Sequence, residues 1–172
     1  MKVFGLAGWS GSGKTTLMRA LIPALVGRGL RVSTMKHAHH TFDIDQPGKD
    51  SYEHRRAGAT EVLISSAKRW ALMHELRGAP ELTTEDLVRR MASVDLLLIE
   101  GFKQESHDKL EIHRASLGKP LLCRDDPNIV AVATDGPLPG VDLPLLDLGD
   151  VGGIADFVIA HCGLGARVRG AA

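Results

Sequence analysis

Residues 8–15 have the composition and spacing of a loop that binds phosphate groups. They read GWSGSGKT and fit the pattern G-x-x-x-x-G-K-[ST] at Gly8, Gly13, Lys14 and Thr15. Glycines allow a tight turn whose N–H groups face phosphate oxygens, and the helix expected to follow directs its positive dipole end at the same anion. Lys14 would bind the β- and γ-phosphates, and the Thr15 hydroxyl would ligate Mg²⁺. The motif predicts a nucleoside triphosphate site.

An acid at the end of an apolar strand is the second part of such a site. Residues 95–100 read DLLLIE, the clearest buried strand pattern in the chain. Glu100 follows the apolar run, at the carboxyl end where open α/β sheets bind ligands, whereas Asp95 precedes it. We therefore predict that Glu100, and not Asp95, lies in the shell of Mg²⁺ and water. A surface glutamate before a turn is the alternative.

A segment rich in histidine and aspartate follows the second predicted strand. Residues 36–51 read KHAHHTFDIDQPGKDS and include His37, His39, His40, Asp43 and Asp45. The strand pattern places this segment at the same carboxyl edge, where it would contact nucleotide or a partner, with an aspartate holding Mg²⁺ through water. Its histidines could instead bind a transition metal, although no cysteine or histidine partners complete a closed site. A solvated polar loop is the remaining alternative.

Several basic residues and one acid have open roles. Arg55 and Arg56 could pair with a phosphate or an acid, or lie on an ordinary exposed helix face, and the same alternatives apply to the basic residues after the acid strand: Lys103, His107 and Arg114. Asp135, after a buried strand, could accept the N–H groups of guanine. No N-K-x-D tetrapeptide is present, so the residues do not decide between ATP and GTP.

The elements that position these residues alternate between short apolar runs and amphipathic stretches. This alternation predicts an α/β fold of the P-loop NTPase type, a mostly parallel sheet covered by helices on both faces. Helices are expected over 15–28, 51–57, 83–91 and 153–161, and strands over 3–7, 31–35, 61–65, 69–76, 95–100, 110–113 and 129–133. Pro23 would kink or break the first helix. Residues 61–76 form a predicted hairpin, residues 1–162 one nucleotide-binding domain, and residues 163–172 a frayed tail.

Composition limits the classes of protein to be considered. Across 172 residues, 21 Lys and Arg balance 21 Asp and Glu, which disfavours a nucleic-acid binder. No segment has the pattern of a signal peptide or the length of a bilayer span. Cys123 and Cys162 lack zinc spacing and are interpreted as reduced thiols. We expect a cytoplasmic protein that binds neither nucleic acid nor membrane.

Three motifs taken together resemble one family. GWSGSGKTTL, then KHAHHTFDIDQPGKDSYEHRRAGA, then DLLLIEGFK occur here in the order and spacing typical of the MobB family, the molybdopterin-guanine dinucleotide biosynthesis protein B. The likeness extends from Val3 to about Phe157. The first motif is shared by many NTPases, whereas the second is far more specific.

The resemblance implies a usually dimeric P-loop protein that binds GTP with Mg²⁺ and hydrolyses it slowly. It would assist the nucleotidyltransferase that attaches GMP to molybdopterin, and molybdopterin itself is a further candidate ligand. The family's phosphate loop maps onto residues 8–16, so the resemblance implies nucleotide contacts from Gly11, Ser12, Gly13 and Thr16. Lys14 and Glu100 are the implied catalytic residues. The His/Asp segment adds His37 and Asp45, and the strand at 69–76 could extend the sheet across a dimer interface.

Two other functions stay open on the residues. A small-molecule kinase would need arginines over the phosphates, and only Arg55 and Arg56 follow nearby. A GTPase that delivers a metal is suggested by His37, His39 and His40, although a longer histidine tract is missing.

Overall fold

A computed structural model of the chain describes residues 1–38, 42–101 and 105–168. Contacts divide the chain into two compact units. The first unit comprises Met1–His37 and Ala92–Ala172, and the second comprises Ala38–Met91. The domain expected over residues 1–162 stays a prediction, and His39, His40 and Lys103 lie outside the described residues.

The first unit is built on a six-stranded sheet in which every pairing is parallel. Its strands are β1 (Lys2–Ala7), β2 (Val32–Lys36), β5 (Leu96–Glu100), β6 (Lys109–His113), β7 (Ile129–Thr134) and β8 (Leu145–Asp147). They run in the order β2-β5-β1-β6-β7-β8, with β1 pairing to β5 on one side and β6 on the other. The α/β class with a mostly parallel sheet is confirmed. All six carboxyl ends meet at one edge, where ligands bind such sheets.

Every second residue of the strands points to one face of the sheet, and the apolar side chains on that face form the main core. One face of the sheet packs against α1 (Lys14–Val26) and α4 (Val151–His161), which also contact each other. The residues that fill this layer are buried side chains from strands and helices: Phe4, Leu6, Leu17, Leu21, Leu25, Leu96, Leu98, Leu110, Ile112, Ile154 and Val158. A core of this size fixes the position of β1 and α1, and with them the loop that joins the two.

The helix α1 continues through Pro23, so the predicted break does not occur. Leu21 and Leu25 flank the proline and are completely buried. Their packing against the core offsets the hydrogen bond that a proline cannot donate. Beyond the helix, Gly29 adopts a φ of 85° and the Leu30 N–H donates to the Leu25 carbonyl, the geometry expected of a glycine at C′.

The opposite face of the sheet contains charged groups with fixed partners. The buried Lys109 ammonium donates to Asp126 at 2.6 Å, and the buried Glu111 carboxylate accepts from the backbone N–H groups of Leu122 and Cys123 at 2.8 and 2.9 Å. These contacts attach the irregular segment after β6, with its 3₁₀ turns Ala115–Leu117 and Leu122–Arg124, to the sheet.

The second unit contains α2 (Asp50–Arg56), α3 (Thr84–Arg90) and the antiparallel hairpin of β3 (Glu61–Ser65) and β4 (Trp70–His74). Val62 and Met73 face each other and are buried. The other face of the hairpin presents Leu63 opposite Leu72, with Trp70 beside them, and all three are exposed. The hairpin is therefore two-faced, with one apolar side unburied.

The frayed tail expected over residues 163–172 stays a prediction, and the structure describes this part of the chain as far as Val168. Leu164 is buried, Gly165–Val168 form a short helix, α5, and Arg167 pairs with Asp95. A buried leucine and an ion pair offset the entropy cost of ordering these residues. Among the helices in the described part of the chain, none has the length and apolar character needed to cross a membrane.

Candidate functional site

The phosphate-binding motif forms the turn between β1 and α1. Gly8, Gly11 and Gly13 all have positive φ values, of 151°, 81° and 99°. A Cβ on Gly8 would approach the Ile112 carbonyl oxygen to 2.7 Å, so only glycine fits there. Lys14 closes the loop, because its ammonium donates to the carbonyls of Gly8 at 2.9 Å and Trp9 at 3.0 Å.

The N-terminus of α1 is left open to an anion. Its N-cap is Gly13, which provides no side-chain cap, and no acid lies in its first turn. Two other helices differ: Thr83 and Asp86 form a capping box on α3, and Asp150 caps α4 through the Gly153 N–H. Ser12 adds a buried hydroxyl without a hydrogen-bond partner among the described residues. Unsatisfied donors at a helix N-terminus form an anion site.

Glu100 and Thr15 meet at the carboxyl edge of the sheet. The Thr15 hydroxyl donates to Glu100 Oε1 at 3.0 Å, although the two residues are 85 positions apart. Register explains the contact, because Leu6 at the end of β1 lies beside Glu100 at the end of β5. A hydroxyl and a carboxylate are both oxygen donors of the kind that Mg²⁺ accepts alongside phosphate oxygens and water. These two side chains therefore fit a magnesium ion.

The β2 side of the site contributes His37. Its backbone N–H donates to the Glu100 carbonyl at 3.0 Å, one position beyond the end of β2. Gly101 then turns away with φ 101°, and a Cβ there would approach the His37 carbonyl to 3.1 Å. Sheet pairing thus holds His37 next to Glu100, on the β5 side of the phosphate loop.

The β6 and β7 side contributes Arg114 and Asp135. Arg114 follows β6 and donates from Nε to the Ser12 carbonyl at 3.1 Å. Its Nη1 donates to Asp135 at 2.9 Å, just beyond the end of β7. Asp135 therefore pairs with an arginine that also contacts the phosphate loop, a link that its position in the sequence did not indicate.

Trp9 adds a contact that sequence reasoning missed. Its indole N–H donates to the Pro120 carbonyl at 2.8 Å, and the Lys119 ammonium lies 5.7 Å from the centre of its rings. The segment after β6 therefore braces the phosphate loop. The x positions of the loop motif give no signal for such a contact, since any residue type is allowed there.

Asp45 lies in the second unit and is bound by Arg55. The guanidinium donates to both oxygens of Asp45, at 2.8 and 3.2 Å, and to Asp43 at 2.8 Å, with Glu75 at 3.5 Å. The hydrogen bond to Asp45 raises the pKa of the Arg55 guanidinium above its ordinary value. Of the alternatives for Arg55, the structure shows the pairing with acids. The Asp45 side chain is only 1% exposed and that of Arg55 16%, so the ion pair is largely shielded from solvent.

The predicted residues thus fall into two groups. The structure gathers Gly11, Ser12, Gly13, Lys14, Thr15, Thr16, Glu100 and His37 around the turn after β1, with Asp135 reached through Arg114. Asp45 belongs to a separate cluster in the second unit. Over residues 1–38, 42–101 and 105–168, no group of three or more His, Cys, Asp or Glu side chains is arranged to hold a metal ion.

Known proteins give the same picture. Residues 3–135 match the family described as molybdopterin guanine dinucleotide synthesis protein B, MobB. The chain is 48% identical to the molybdopterin-guanine dinucleotide biosynthesis adapter protein of Escherichia coli over 160 residues, 91% of each chain. It is 42% identical to the protein of the same name from Haemophilus influenzae, over 91% of this chain and 86% of that one.

A solved structure of a MobB homolog from Bacillus stearothermophilus superimposes with a TM-score of 0.69 at 28% identity, covering 95% of this chain and 99% of the other. The family match, the curated relatives and the shared fold agree, and the chain belongs to the MobB family.

Proposed function

We propose that this protein is a GTP-binding adapter in the attachment of GMP to molybdopterin, with slow GTP hydrolysis of its own. Family membership supports the pathway, and two relatives at 48% and 42% identity are described as biosynthesis adapter proteins for molybdopterin-guanine dinucleotide. The observation that carries the nucleotide part is the 3.0 Å contact of Thr15 with Glu100 beside the uncapped N-terminus of α1.

Each residue of the loop has a defined role in this proposal. The backbone N–H groups of Gly11, Ser12 and Gly13 bind phosphate oxygens, and Thr16 continues this surface at the start of α1. Lys14 exchanges its present acceptors, two carbonyls of the loop, for the β- and γ-phosphates, because an anionic oxygen is a stronger acceptor than a neutral carbonyl. The loop is therefore closed on itself by contacts that a nucleotide replaces.

Thr15 and Glu100 would hold Mg²⁺. When bound, the ion neutralises charge on the two outer phosphates. In this proposal Glu100 also orients a water molecule at the outer phosphate, and the hydrogen bond from the His37 N–H to the Glu100 carbonyl keeps this edge in register. An arginine supplied at the outer phosphate is what accelerates hydrolysis in fast GTPases. Arg114 follows β6, on the other side of β1 from Glu100 and the proposed metal, so it does not supply such an arginine. This supports slow hydrolysis.

The kinase and metal-delivery alternatives receive no support from the described residues. A kinase would use Arg55 over the phosphates, whereas this guanidinium is bound by Asp43 and Asp45 within the second unit. Within the described ranges, no cluster of metal-binding side chains accompanies His37.

The adapter role includes a homodimer and a partner enzyme. The exposed hairpin face of Leu63, Leu72 and Trp70, with Leu63 62% and Trp70 69% exposed, is an apolar surface suited to protein contact. We assign it to a second copy of the chain. The proposed partner enzyme is the nucleotidyltransferase, and molybdopterin is a further proposed ligand. The proposed location of this assembly is the cytoplasm.

Calorimetric titration with non-hydrolysable analogues of GTP and ATP, each with Mg²⁺, tests the nucleotide part. A preference of at least about tenfold for the guanine analogue is expected, and a preference for the adenine analogue would contradict the proposal. Adding the protein with GTP to its nucleotidyltransferase should increase the rate of GMP attachment, and no increase would contradict the adapter role.

Sedimentation equilibrium tests the homodimer. Leu63→Lys with Leu72→Lys places two charges on the exposed hairpin face and should give a monomer. Val26→Lys, which charges an exposed apolar position at the end of α1, is the matched control and should leave the dimer intact. An unsubstituted protein that sediments as a monomer would contradict this assignment.

A further inference from the structure

The strand order gives the phosphate loop two sides. β5 and β2 lie on one side of β1, and β6, β7 and β8 lie on the other. Thr15 and Glu100 place the proposed metal, and with it the two outer phosphates, on the β5 side. The nucleoside must then leave the loop on the β6 and β7 side, since the phosphate chain runs away from the metal. Arg114 and Asp135 occupy that side.

Arg114 joins the phosphate loop to the end of β7 through one planar group. Its Nε donates to the Ser12 carbonyl at 3.1 Å, and its Nη1 donates to Asp135 Oδ2 at 2.9 Å. The guanidinium packs beside Gly13, where a Cβ would lie in ordinary van der Waals contact, 3.6 Å from Nε and Nη2. A rigid fork of donors can hold both acceptors at a fixed separation, which an ammonium cannot do.

The contact with Ser12 sets the direction of a neighbouring donor. The Ser12 carbonyl and the Gly13 N–H belong to one trans peptide unit, so they point in opposite directions. With its carbonyl held by Arg114, this peptide keeps its N–H directed away from Arg114 and towards the phosphate side of the loop. The αL conformation of Gly13, with φ 99°, allows that orientation.

The contact with Asp135 orients a carboxylate on the nucleoside side. Arg114 and Asp135 are 37% and 36% exposed, so their ion pair adds little to the stability of the fold. A carboxylate only accepts hydrogen bonds. It therefore matches the adjacent N–H donors of guanine, whereas adenine presents an acceptor at the equivalent ring nitrogen.

We propose that Arg114 is a positioning residue that sets the Gly13 N–H for phosphate through Ser12 and orients Asp135 to read guanine. This inference rests on the proposed function, because it takes a guanine nucleotide as the ligand of the loop. It adds a residue that couples phosphate binding to base selection in that same site.

Three probes separate the two roles of Arg114: a non-hydrolysable GTP analogue, the ATP analogue and inorganic triphosphate, each titrated with Mg²⁺. Arg114→Ala should weaken triphosphate about tenfold and the GTP analogue about 100-fold, so the preference for GTP over ATP also falls. Asp135→Asn should weaken the GTP analogue about tenfold and leave triphosphate unchanged. Equal losses for triphosphate and GTP in both variants would overturn the division of roles.

Arg114→Lys distinguishes positioning from charge. Lysine keeps the positive charge but lacks the fork that holds Ser12 and Asp135 together, so its three affinities should resemble those of Arg114→Ala. Full recovery of binding in Arg114→Lys would show that Arg114 acts only as a charge, which overturns the proposal.

Arg28 offers a matched control. It also joins backbone carbonyls, of Ala24 and Gly152, to an aspartate, Asp156, at the far end of α1, about 20 Å along the helix from the phosphate loop. Arg28→Ala should leave the three affinities unchanged. The inference alone fails when the unsubstituted protein prefers GTP and Arg114→Ala binds each of the three probes as tightly as the unsubstituted protein does. Both it and the proposed function fail when the unsubstituted protein shows no preference for GTP.

Discussion

The phosphate loop and the Arg55 cluster use the same kinds of side chain in different ways. In the loop, Lys14 donates to neutral carbonyls and Thr15 donates to Glu100. In the second unit, Arg55 is bound by carboxylates, and Asp45 is 1% exposed. A ligand anion competes easily with a carbonyl and poorly with a paired carboxylate. A cation held by neutral carbonyls is therefore the better candidate for binding an anion, and a cation held by a buried carboxylate is the better candidate for a structural role.

The helix ends show the same difference on a smaller scale. The N-terminus of α3 is closed by Thr83 and Asp86, whereas α1 begins at Gly13 with no side-chain cap. A capped helix has used its free N–H groups, and an uncapped one still offers them to an anion. The phosphate loop combines an uncapped helix with a lysine that donates to two neutral carbonyls.

Lys14→Ala gives the largest effect expected from this comparison. Loss of the ammonium should weaken the GTP analogue by about 100-fold or more, because charge-assisted bonds to two phosphates are removed. The thermal midpoint should change little, since the lysine donates to two neutral carbonyls of its own loop. Titration calorimetry measures the affinity, with Lys68→Ala in the exposed hairpin turn as the control. An unchanged GTP affinity would remove the distinction between the two regions.

Arg55→Ala should produce the opposite result. Removing the guanidinium leaves the buried Asp45 carboxylate without its partner, so the thermal midpoint should fall by roughly 5 °C or more. Arg56→Ala, at the exposed neighbouring position on α2, should leave it within about 1 °C, as expected for a surface change.

The GTP affinity of Arg55→Ala decides whether Arg55 belongs to the nucleotide site. Below the unfolding transition, Arg55→Ala should bind the GTP analogue as the unsubstituted protein does. A tenfold loss of GTP affinity without a loss of thermal stability would place Arg55 in the nucleotide site and break the comparison.

Glu100→Gln sharpens the assignment within the loop itself. The amide oxygen still accepts from the Thr15 hydroxyl, so the variant removes the charge and keeps the shape. Mg²⁺ should then increase the affinity for the GTP analogue about tenfold less than it does in the unsubstituted protein. Paired titrations with Mg²⁺ and with EDTA measure this difference, and Glu85→Gln on the exposed side of α3 is the control. A full response to Mg²⁺ in Glu100→Gln would exclude Glu100 from the metal shell.

Much of this site could be predicted from sequence because its parts are local. The loop is eight consecutive residues, and Glu100 follows its own apolar strand, so a pattern of neighbours is sufficient to find both. The elements were found for the same reason, with β1, β5 and α1 within two residues of their expected bounds.

Arg114 shows what sequence patterns leave out. Its partners, Ser12 and Asp135, are 102 and 21 positions away, and the contacts exist only because β6 lies between β1 and β7. Asp45 stays a predicted ligand contact, and the folded second unit adds a partner that the sequence pattern did not indicate, the Arg55 guanidinium. Contacts made in the folded chain, and not local sequence patterns, give both residues their partners.

The smallest predicted effect is that of Asp95, where the comparison is between two acids at the two ends of one strand, β5. It lies at the opposite end of β5 from Glu100, and its partners are fixed: the Arg31 backbone N–H at 2.8 Å and the Arg167 guanidinium. The hydrogen bond from the Arg31 N–H, aided by Arg167, lowers the pKa of Asp95 to about 2. Asp95 and Glu100 belong to the same unit. The end of the strand at which each lies therefore distinguishes the structural carboxylate of Asp95 from the proposed binding carboxylate of Glu100.

The pH dependence of stability tests this assignment. Because the pKa in the folded state is below the ordinary value, the stabilisation by Asp95 is complete above about pH 4 and is lost as the pH falls towards 2. Asp95→Asn should therefore lower the thermal midpoint by a few degrees from pH 7 to pH 5. That difference should shrink below pH 4, and GTP affinity at pH 7 should stay unchanged. Asp142→Asn, at an exposed loop position, should show neither effect, and a difference that persists undiminished at pH 3 would contradict the fixed pairing of Asp95.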